Sequence, residues 1–207
     1  YEQNGKLWWT SYREGFVFVT DLVGKLIFRL DMPDLAGPVG LTGDPKTGLI
    51  FIPSRDKKGR LYVINESHPR SHIELKIKGM NSDPYDIDQH DGCIFLVESN
   101  EARIWTLETR DVIKQLEKAR ANKNKFFQNI FAAYDLEPKV WFTDLMRPQH
   151  QFIHDGVLHV IDTDDFSVVK IGLDSSTVQK FILPIQHIFR GLTVVKNGNI
   201  LLTGFQD

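Results

Sequence analysis

Short runs of apolar residues recur along the chain, and residues typical of turns separate them. Five such runs closely follow a pair that ends in glycine: LWWTSY from Leu7, LIFIPS from Leu49, CIFLVES from Cys93, VLHVIDT from Val157 and ILLTGF from Ile200. β-Branched and aromatic residues dominate these runs, which is typical of strands. The pattern therefore predicts a chain built mainly of short β-strands.

The turn pairs themselves recur at a nearly fixed distance. They are Asn4-Gly5, Thr47-Gly48, Asp91-Gly92, Asp155-Gly156 and Asn197-Gly198, and their glycines are 43, 44, 64 and 42 residues apart. Asn or Asp followed by glycine between apolar runs is a strong hairpin signal, because a type I′ turn needs positive φ at both central residues. The tripeptide HDG occurs in two of these turns, and we interpret it as a hairpin turn rather than a metal-binding His-Asp pair.

Two further candidate strands follow the hairpin in several repeats, for example RLYVINES and HIELKIK in the second repeat. Four antiparallel strands in about 43 residues describe one blade of a β-propeller. We therefore expect an all-β fold, a single propeller domain over residues 1–207, with five blades or a truncated ring of six. The first blade is expected to lack its innermost strand. A β-sandwich is the alternative, which the fixed period disfavours.

The spacing of 64 residues indicates an insertion in the third repeat. Residues 110–134 are rich in helix formers and contain no glycine or proline, so they predict a helical insertion. Residues 110–125 carry six Lys or Arg and two acidic residues. A basic amphipathic helix can pack one face on the propeller and leave the other to solvent, or it can dock on a partner.

Composition excludes several classes of protein. The 207 residues include 25 Lys or Arg and 27 Asp or Glu, a net charge of −2, which gives no general attraction for nucleic acid. No apolar run approaches the 18 residues of a membrane span. The lone Cys93 excludes an internal disulfide framework and favours a reducing compartment such as the cytoplasm, although the compartment stays open.

Polar residues near the ends of predicted inner strands are the candidate ligand-binding residues, because propeller ligands usually meet the loops at one mouth of the channel. The candidates precede or begin innermost strands: Asp83, Asp86, Arg147, Gln149, His187 and Arg190. We expect a small molecule or a protein partner to bind there. Arg147 and Arg190 occupy equivalent positions and either clamp an anionic ligand or pair with Asp83 and Asp86.

A second set of polar residues suggests a metal site. Glu98 and Asp162 end second strands and His150 lies in an innermost one. Oxygen ligands suit calcium or magnesium, and imidazole favours zinc or iron, so a divalent cation, first of all calcium, is the cofactor considered. The alternative is that these side chains cap backbone groups.

Two segments resemble known propeller blades. HDGVLHVIDTDDFSVVKIGLDS from His154 and DGCIFLVESNEARIWTLE from Asp91 resemble blades of the NHL, strictosidine synthase and gluconolactonase-like superfamily. The stretch RPQHQFIHDGVLHVIDT from Arg147, followed by FRGL, is also similar to an uncharacterised bacterial propeller family. Gluconolactonase-like members hold a divalent cation through Glu, Asn and Asp, and this resemblance implies that role for Glu98 and Asp162. The expected asparagine has no clear match. NHL-type propellers mostly bind proteins or RNA.

No recognisable catalytic constellation stands out, because the chain contains no nucleophile elbow, P-loop or dinucleotide fingerprint. The leading hypothesis is therefore a β-propeller binding module that recognises its ligand at the channel mouth. The alternative is a divalent-metal-dependent hydrolase of the lactonase or esterase type, in which one carboxylate activates water.

Overall fold

The structure is a computed structural model that describes residues 1–32, 34–55, 59–80, 84–121, 134–175, 177–184 and 189–204. Strands dominate these residues and follow one another in antiparallel hairpins. The first sheet contains β1 (Glu2–Gln3), β2 (Lys6–Ser11), β3 (Phe16–Asp21) and β4 (Leu26–Asp31). The second contains β5 (Thr42–Asp44), β6 (Leu49–Ser54), β7 (Arg60–Asn65) and β8 (His72–Ile77).

The third sheet begins with β9 (Pro84–His90), β10 (Cys93–Glu98) and β11 (Arg103–Glu108). The chain then forms α1 (Thr109–Ala121) and β12 (Tyr134–Leu136) before the outer strand β13 (Lys139–Phe142) completes that sheet. The fourth sheet contains β14 (Pro148–His154), β15 (Val157–Asp162), β16 (Ser167–Gly172) and β17 (Val178–Ile182). In the described residues the fifth contains β18 (Phe189–Val194) and β19 (Ile200–Gly204).

These sheets are the blades of a β-propeller, numbered 1 to 5 here in chain order. Within each blade, successive strands pair from the innermost outwards, and the innermost strands β5, β9, β14 and β18 lie side by side. The predicted all-β propeller is therefore confirmed, while the number of blades in a complete ring stays a prediction. One expectation is wrong, because β1 supplies blade 1 with a short innermost strand that pairs with β2.

The turns follow from local sequence. Asp91-Gly92 and Asp155-Gly156 each form a two-residue loop between paired strands, with φ of 46° and 80° in the first and 48° and 70° in the second. Positive φ at both positions is the type I′ geometry that aspartate and glycine tolerate best. The interpretation of both HDG segments as hairpin turns is confirmed.

Apolar rows between adjacent blades form the core. Trp8, Val17 and Val19 of blade 1 pack on Ile50 and Ile52 of blade 2. Similar clusters join blade 2 to blade 3 and blade 3 to blade 4. The second strands of blades 2, 3 and 4 are buried on both faces, which explains why each appears in the sequence as a nearly continuous apolar run.

The predicted helix in the third repeat is present as α1, and residues 122–133 of the predicted insertion lie outside the described residues. Val112 and Leu116 of α1 are buried in the cluster between blades 2 and 3. After the helix, β12 pairs in parallel with β8, so that the insertion adds a fifth strand to the edge of blade 2. Docking of a partner on the basic face of residues 110–125 stays a prediction.

Among the described residues, no helix is both long and apolar enough to cross a membrane.

Candidate functional site

One end of the channel, called the mouth here, is where innermost strands begin and second strands end. Four side chains from four successive blades meet there and form what we call the mouth column: Tyr12, Arg55, Tyr85 and His150. Tyr12 and Arg55 are the first residues after β2 and β6, whereas Tyr85 and His150 lie near the starts of β9 and β14. The propeller brings together residues that are up to 138 positions apart in sequence.

The column is held by ring and guanidinium contacts. The Arg55 guanidinium carbon lies 4.8 Å from the Tyr85 ring centroid and 5.6 Å from that of Tyr12, and Arg55 Nη1 donates a hydrogen bond of 2.9 Å to Tyr12 Oη. The Tyr85 and His150 rings meet edge to face, with centroids 5.3 Å apart. Such cation–π and edge-to-face contacts help to fix the planes of the groups.

The exposure of the column changes along its length. Tyr12 is 53% exposed and Tyr85 only 6%, with Arg55 and His150 in between. A ligand arriving from solvent would therefore meet the Tyr12 ring and the Arg55 guanidinium first. An aromatic ring and a guanidinium plane offer stacking surfaces and hydrogen-bond donors for planar, oxygen-bearing groups.

Asp86 supports the end of the column that His150 forms. Its Oδ2 lies 3.5 Å from His150 Nδ1 and accepts a hydrogen bond of 2.9 Å from the Gln151 amide. Its Oδ1 accepts another from the Ile87 amide and lies against the backbone of Gly40, where an added Cβ would come within 1.9 Å. Asp86 therefore both orients His150 and joins blade 3 to blade 4.

Asp88 occupies the next position along the same face of β9. Its Oδ2 accepts a hydrogen bond of 2.7 Å from the Ile153 amide, and its Oδ1 accepts bonds from the Gln89 amide and the Thr42 hydroxyl. Burial raises the pKa of Asp88 to about 6 and outweighs these hydrogen bonds, which lower it. This carboxylate changes charge near neutral pH.

The two predicted metal-ligating carboxylates already have hydrogen-bond donors. Glu98 is fully buried and accepts a hydrogen bond of 2.7 Å from Trp105 Nε1. Asp162, 1% exposed, accepts bonds of 2.8 and 2.6 Å from the amides of Met146 and Arg147. Capping of backbone amides, the alternative considered for this position, is therefore present at Asp162.

The described part of the chain contains no group of three or more His, Cys, Asp or Glu side chains placed to hold a metal ion. Of the three predicted ligands, His150 lies beside Asp86, while Glu98 and Asp162 make the separate contacts given above. The site formed by Glu98, His150 and Asp162 stays a prediction.

The predicted ligand-binding residues are placed as follows. Asp86 and the buried Gln149 lie at the mouth, on neighbouring innermost strands. Arg147 is half exposed, with Nη1 3.7 Å from Asp164 Oδ1. The backbone of Arg190 belongs to β18, but its side chain, like Asp83 and His187, lies outside the described residues.

Three members of the mouth column were not predicted from the sequence: Tyr12, Arg55 and Tyr85. A signal for the first two was present, because both directly follow a second strand, one residue beyond Ser11 and Ser54. The candidates predicted at the ends of second strands were carboxylates, so an aromatic ring and a guanidinium one residue further on were not among them. Tyr85 has the pattern of an ordinary buried strand residue, so nothing in its local sequence distinguishes it.

The fold and the mouth define the class of the protein, a β-propeller with a polar and aromatic channel mouth. No protein-family model matches the sequence, and no curated protein matches it either. A solved streptogramin B lyase is similar in structure, with a TM-score of 0.70 and 15% identity over 97% of this chain and 59% of its own.

Two further solved structures show the same fold. Virginiamycin B lyase from Staphylococcus aureus superposes with a TM-score of 0.68 and 15% identity, covering 97% of this chain and 60% of its own. A chain of the nidogen/laminin complex superposes with a TM-score of 0.63 and 15% identity, covering 86% of this chain and 60% of its own. The present chain thus spans about three fifths of the length of these propellers, and at such identity the likeness shows the fold alone.

Proposed function

We propose that the chain is a binding β-propeller whose ligand contacts the mouth column. The observation that carries this proposal is the meeting of Tyr12, Arg55, Tyr85 and His150, one from each of four successive blades. A polar and aromatic site assembled from separate blades is expected of a binding surface, because neither strand pairing nor the apolar rows between blades require it.

The chemistry of the column indicates what the ligand carries. Tyr12 offers an exposed ring, and the Arg55 guanidinium is already oriented by two aromatic neighbours. A preoriented guanidinium loses less side-chain entropy when it binds an acceptor. The ligand therefore combines a planar group, which stacks on Tyr12, with a carbonyl or carboxylate oxygen, which accepts from Arg55.

Either a small compound or an exposed peptide segment could carry these two groups. Among the structural neighbours, one propeller is named as a streptogramin B lyase and another was solved in a nidogen/laminin complex. Both kinds of ligand are therefore compatible with this architecture. Gln149 and Arg147 flank the column on blade 4 and are proposed to supply further polar contacts.

The experiment compares ligand binding by wild type and two arginine variants. A panel of N-acetylated aromatic amino acids and short peptides, with free or amidated carboxyl ends, is screened by saturation-transfer NMR. Arg55→Met should abolish the signals or weaken affinity about tenfold, which corresponds to about 1.4 kcal/mol. Arg29→Met is the matched control, because Arg29 also lies over an aromatic ring, that of Phe16, but on β4 of blade 1.

Binding that survives Arg55→Met, or that Arg29→Met weakens equally, would contradict the mouth proposal. Tyr12→Leu provides a second variant that keeps the side chain apolar. Since Tyr12 is half exposed, this change should weaken binding while leaving the melting temperature within about 2 °C.

A divalent-metal-dependent hydrolase of the lactonase or esterase type is the second proposal. The contact between His150 and Asp86 favours it, because this pair supplies two ligand types close together at the mouth. Elemental analysis of protein purified without chelator tests it. One calcium or transition metal per chain, lost in both His150→Ala and Asp162→Asn together with lactone hydrolysis, supports a hydrolase. Metal-free protein that hydrolyses no lactone or ester rules it out.

A further inference from the structure

The rows of side chains that face the next blade contain one departure from the propeller pattern. The third residue of each second strand is aromatic and buried in blades 1, 2 and 3, where it is Trp8, Phe51 and Phe95. In blade 4 the same position is His159, which is equally buried at 4% exposed. An imidazole therefore replaces a core aromatic ring.

Polar residues continue this row outwards in blade 4, as Thr106 and Lys139 do beside Phe95 in blade 3, so His159 is the residue that sets blade 4 apart. Phe51 is in register with Val63 and Ile73, so the row in blade 2 is entirely apolar. His159 is in register with Lys170 and Gln179. Blade 4 thus presents a row of imidazole, ammonium and amide groups towards blade 5, where packing alone favours hydrocarbon.

A cavity of about 320 Å³ lies over this row. Besides the three row residues, its walls include Thr177 beside β17, and Val194 and Gly198 from the hairpin of blade 5 close its other side. A volume of this size lies at the lower end of the range for small-molecule sites. The cavity is distinct from the mouth column, because none of its lining residues belongs to that column.

Lys170 places a positively charged ammonium group in the wall of this cavity. Its Nζ lies 5.0 Å from the centroid of the Phe181 ring, and no carboxylate of the described residues lies within ion-pairing distance of it. An ammonium group partly removed from water without an anion is costly. Burial, and next the charge of Lys170, lower the pKa of His159, so that its imidazole is neutral at pH 7 and adds no second charge. Its Nδ1 lies 3.2 Å from the Val157 carbonyl oxygen, which holds the ring in place.

The remaining polar groups at the wall suit an anion. Thr177 Oγ1 and Ser175 Oγ lie 2.8 Å apart, and the absence of a Cβ at Gly172 leaves room for both hydroxyls. The carboxylate of Asp155 is the acidic group of the lining. It is largely exposed at the rim, with Oδ2 3.4 Å from His154 Nε2, which offsets part of its charge when the imidazole is protonated.

We propose that this cavity binds a small organic anion, a carboxylate or a phosphate ester, whose charged group pairs with Lys170. Gln179 and Thr177 donate hydrogen bonds to the same ligand, and His159 closes the floor of the site. An inorganic phosphate ion would fill only a small part of the volume, so the organic portion contributes contacts with Val157 and Val194.

The test is calorimetric titration of the full chain, in a buffer free of carboxylate and phosphate, with citrate, glucose 6-phosphate and inorganic phosphate. We expect saturable binding of citrate or glucose 6-phosphate that weakens as salt is raised. Lys170→Met should reduce affinity at least about tenfold. Lys180→Met is the matched control, because it removes the same charge from the same blade at a lysine that pairs with Asp165.

His159→Phe is the second variant, because it introduces the aromatic residue type found at this position in blades 1, 2 and 3. It should abolish binding while leaving the melting temperature unchanged or higher. The proposal is overturned if neither organic anion binds saturably to the wild type, or if Lys170→Met and Lys180→Met weaken binding equally. Binding of inorganic phosphate as tightly as of glucose 6-phosphate would overturn the assignment to an organic anion.

Discussion

Replacing Asp88 by asparagine would remove a carboxylate that is buried between the innermost strands of blades 3 and 4. Its two oxygens accept hydrogen bonds from the amides of Ile153 and Gln89 and from the Thr42 hydroxyl. Asparagine has nearly the same shape but does not titrate. The substitution therefore isolates the free energy that is linked to protonation of this one group.

The magnitude follows from the pKa. Burial raises the pKa of Asp88 from 3.8 to about 6, a difference of about 2 units or about 3 kcal/mol. Between these two values the folded protein holds a proton that the unfolded chain has released, so the free energy of unfolding falls as the pH rises. The stabilisation is complete below about pH 3.8 and is lost once the pH has passed through 6.

The assay is urea unfolding, followed by tryptophan fluorescence, of wild type and Asp88→Asn at pH 4, 5, 6 and 7. At pH 4 the variant should be about 1 kcal/mol less stable, because its amide group faces a backbone N–H. Relative to wild type it should then gain about 2 to 3 kcal/mol by pH 7. Parallel pH profiles for the two proteins would refute the reasoning.

Glu66→Gln is the control, because the pKa of Glu66 is shifted in the direction opposite to that of Asp88. Burial alone would raise the pKa of Glu66, but hydrogen bonds from Gln3, Lys6 and Asn4 outweigh it and lower the pKa. Its contribution to stability is therefore present above pH 4.5 and is lost as the pH falls through the lower folded-state pKa. Relative to wild type, this variant should lose stability as the pH rises, in the direction opposite to Asp88→Asn.

Three further changes test the packing and chemistry of the blades. Phe51→Ala should cost about 3 to 5 kcal/mol in urea unfolding, whereas Phe181→Ala, at a half-exposed position, should cost clearly less; similar losses would show that the rows between blades do not form the core. Burial raises the pKa of Cys93 to about 11, so its alkylation by iodoacetamide at pH 8 should be about 100-fold slower than that of a free thiol; equal rates would contradict its burial. Gly40→Ala should cost about 1 to 3 kcal/mol, because the new Cβ would meet Asp86 Oδ1, and an unchanged unfolding midpoint would contradict the close approach.

The propeller could be predicted from sequence because its signals are local. Asp91-Gly92 and Asp155-Gly156 carry the geometry of their turns in two residues, and each second strand carries its own burial pattern. By contrast, the pairing of β12 with β8 joins segments about 60 residues apart through a parallel contact. No residue in either strand marks its partner, so this addition to blade 2 could not be foreseen.

The candidate site was predicted only in part, for a related reason. The sequence identified Asp86 and His150 as polar residues at the starts of innermost strands. In the structure, Asp86 Oδ2 lies 3.5 Å from His150 Nδ1. It did not identify Arg55, whose role depends on Tyr12 and Tyr85 from two other blades. A stack built from one residue of each of four blades has no spacing of its own in the sequence.

The carboxylates near the mouth accept hydrogen bonds from backbone amides. An innermost strand has an edge that its own blade does not pair, and amides at such edges and in adjoining loops need acceptors. Asp86 and Asp88 accept hydrogen bonds from backbone amides of β14. Asp162 accepts one from the Arg147 amide, in the loop before β14. Since these carboxylates hold neighbouring blades in register, replacing them should change stability before it changes binding. Tyr12 is half exposed and lies outside the strand pairing, so under the proposed function its replacement should change binding before it changes stability.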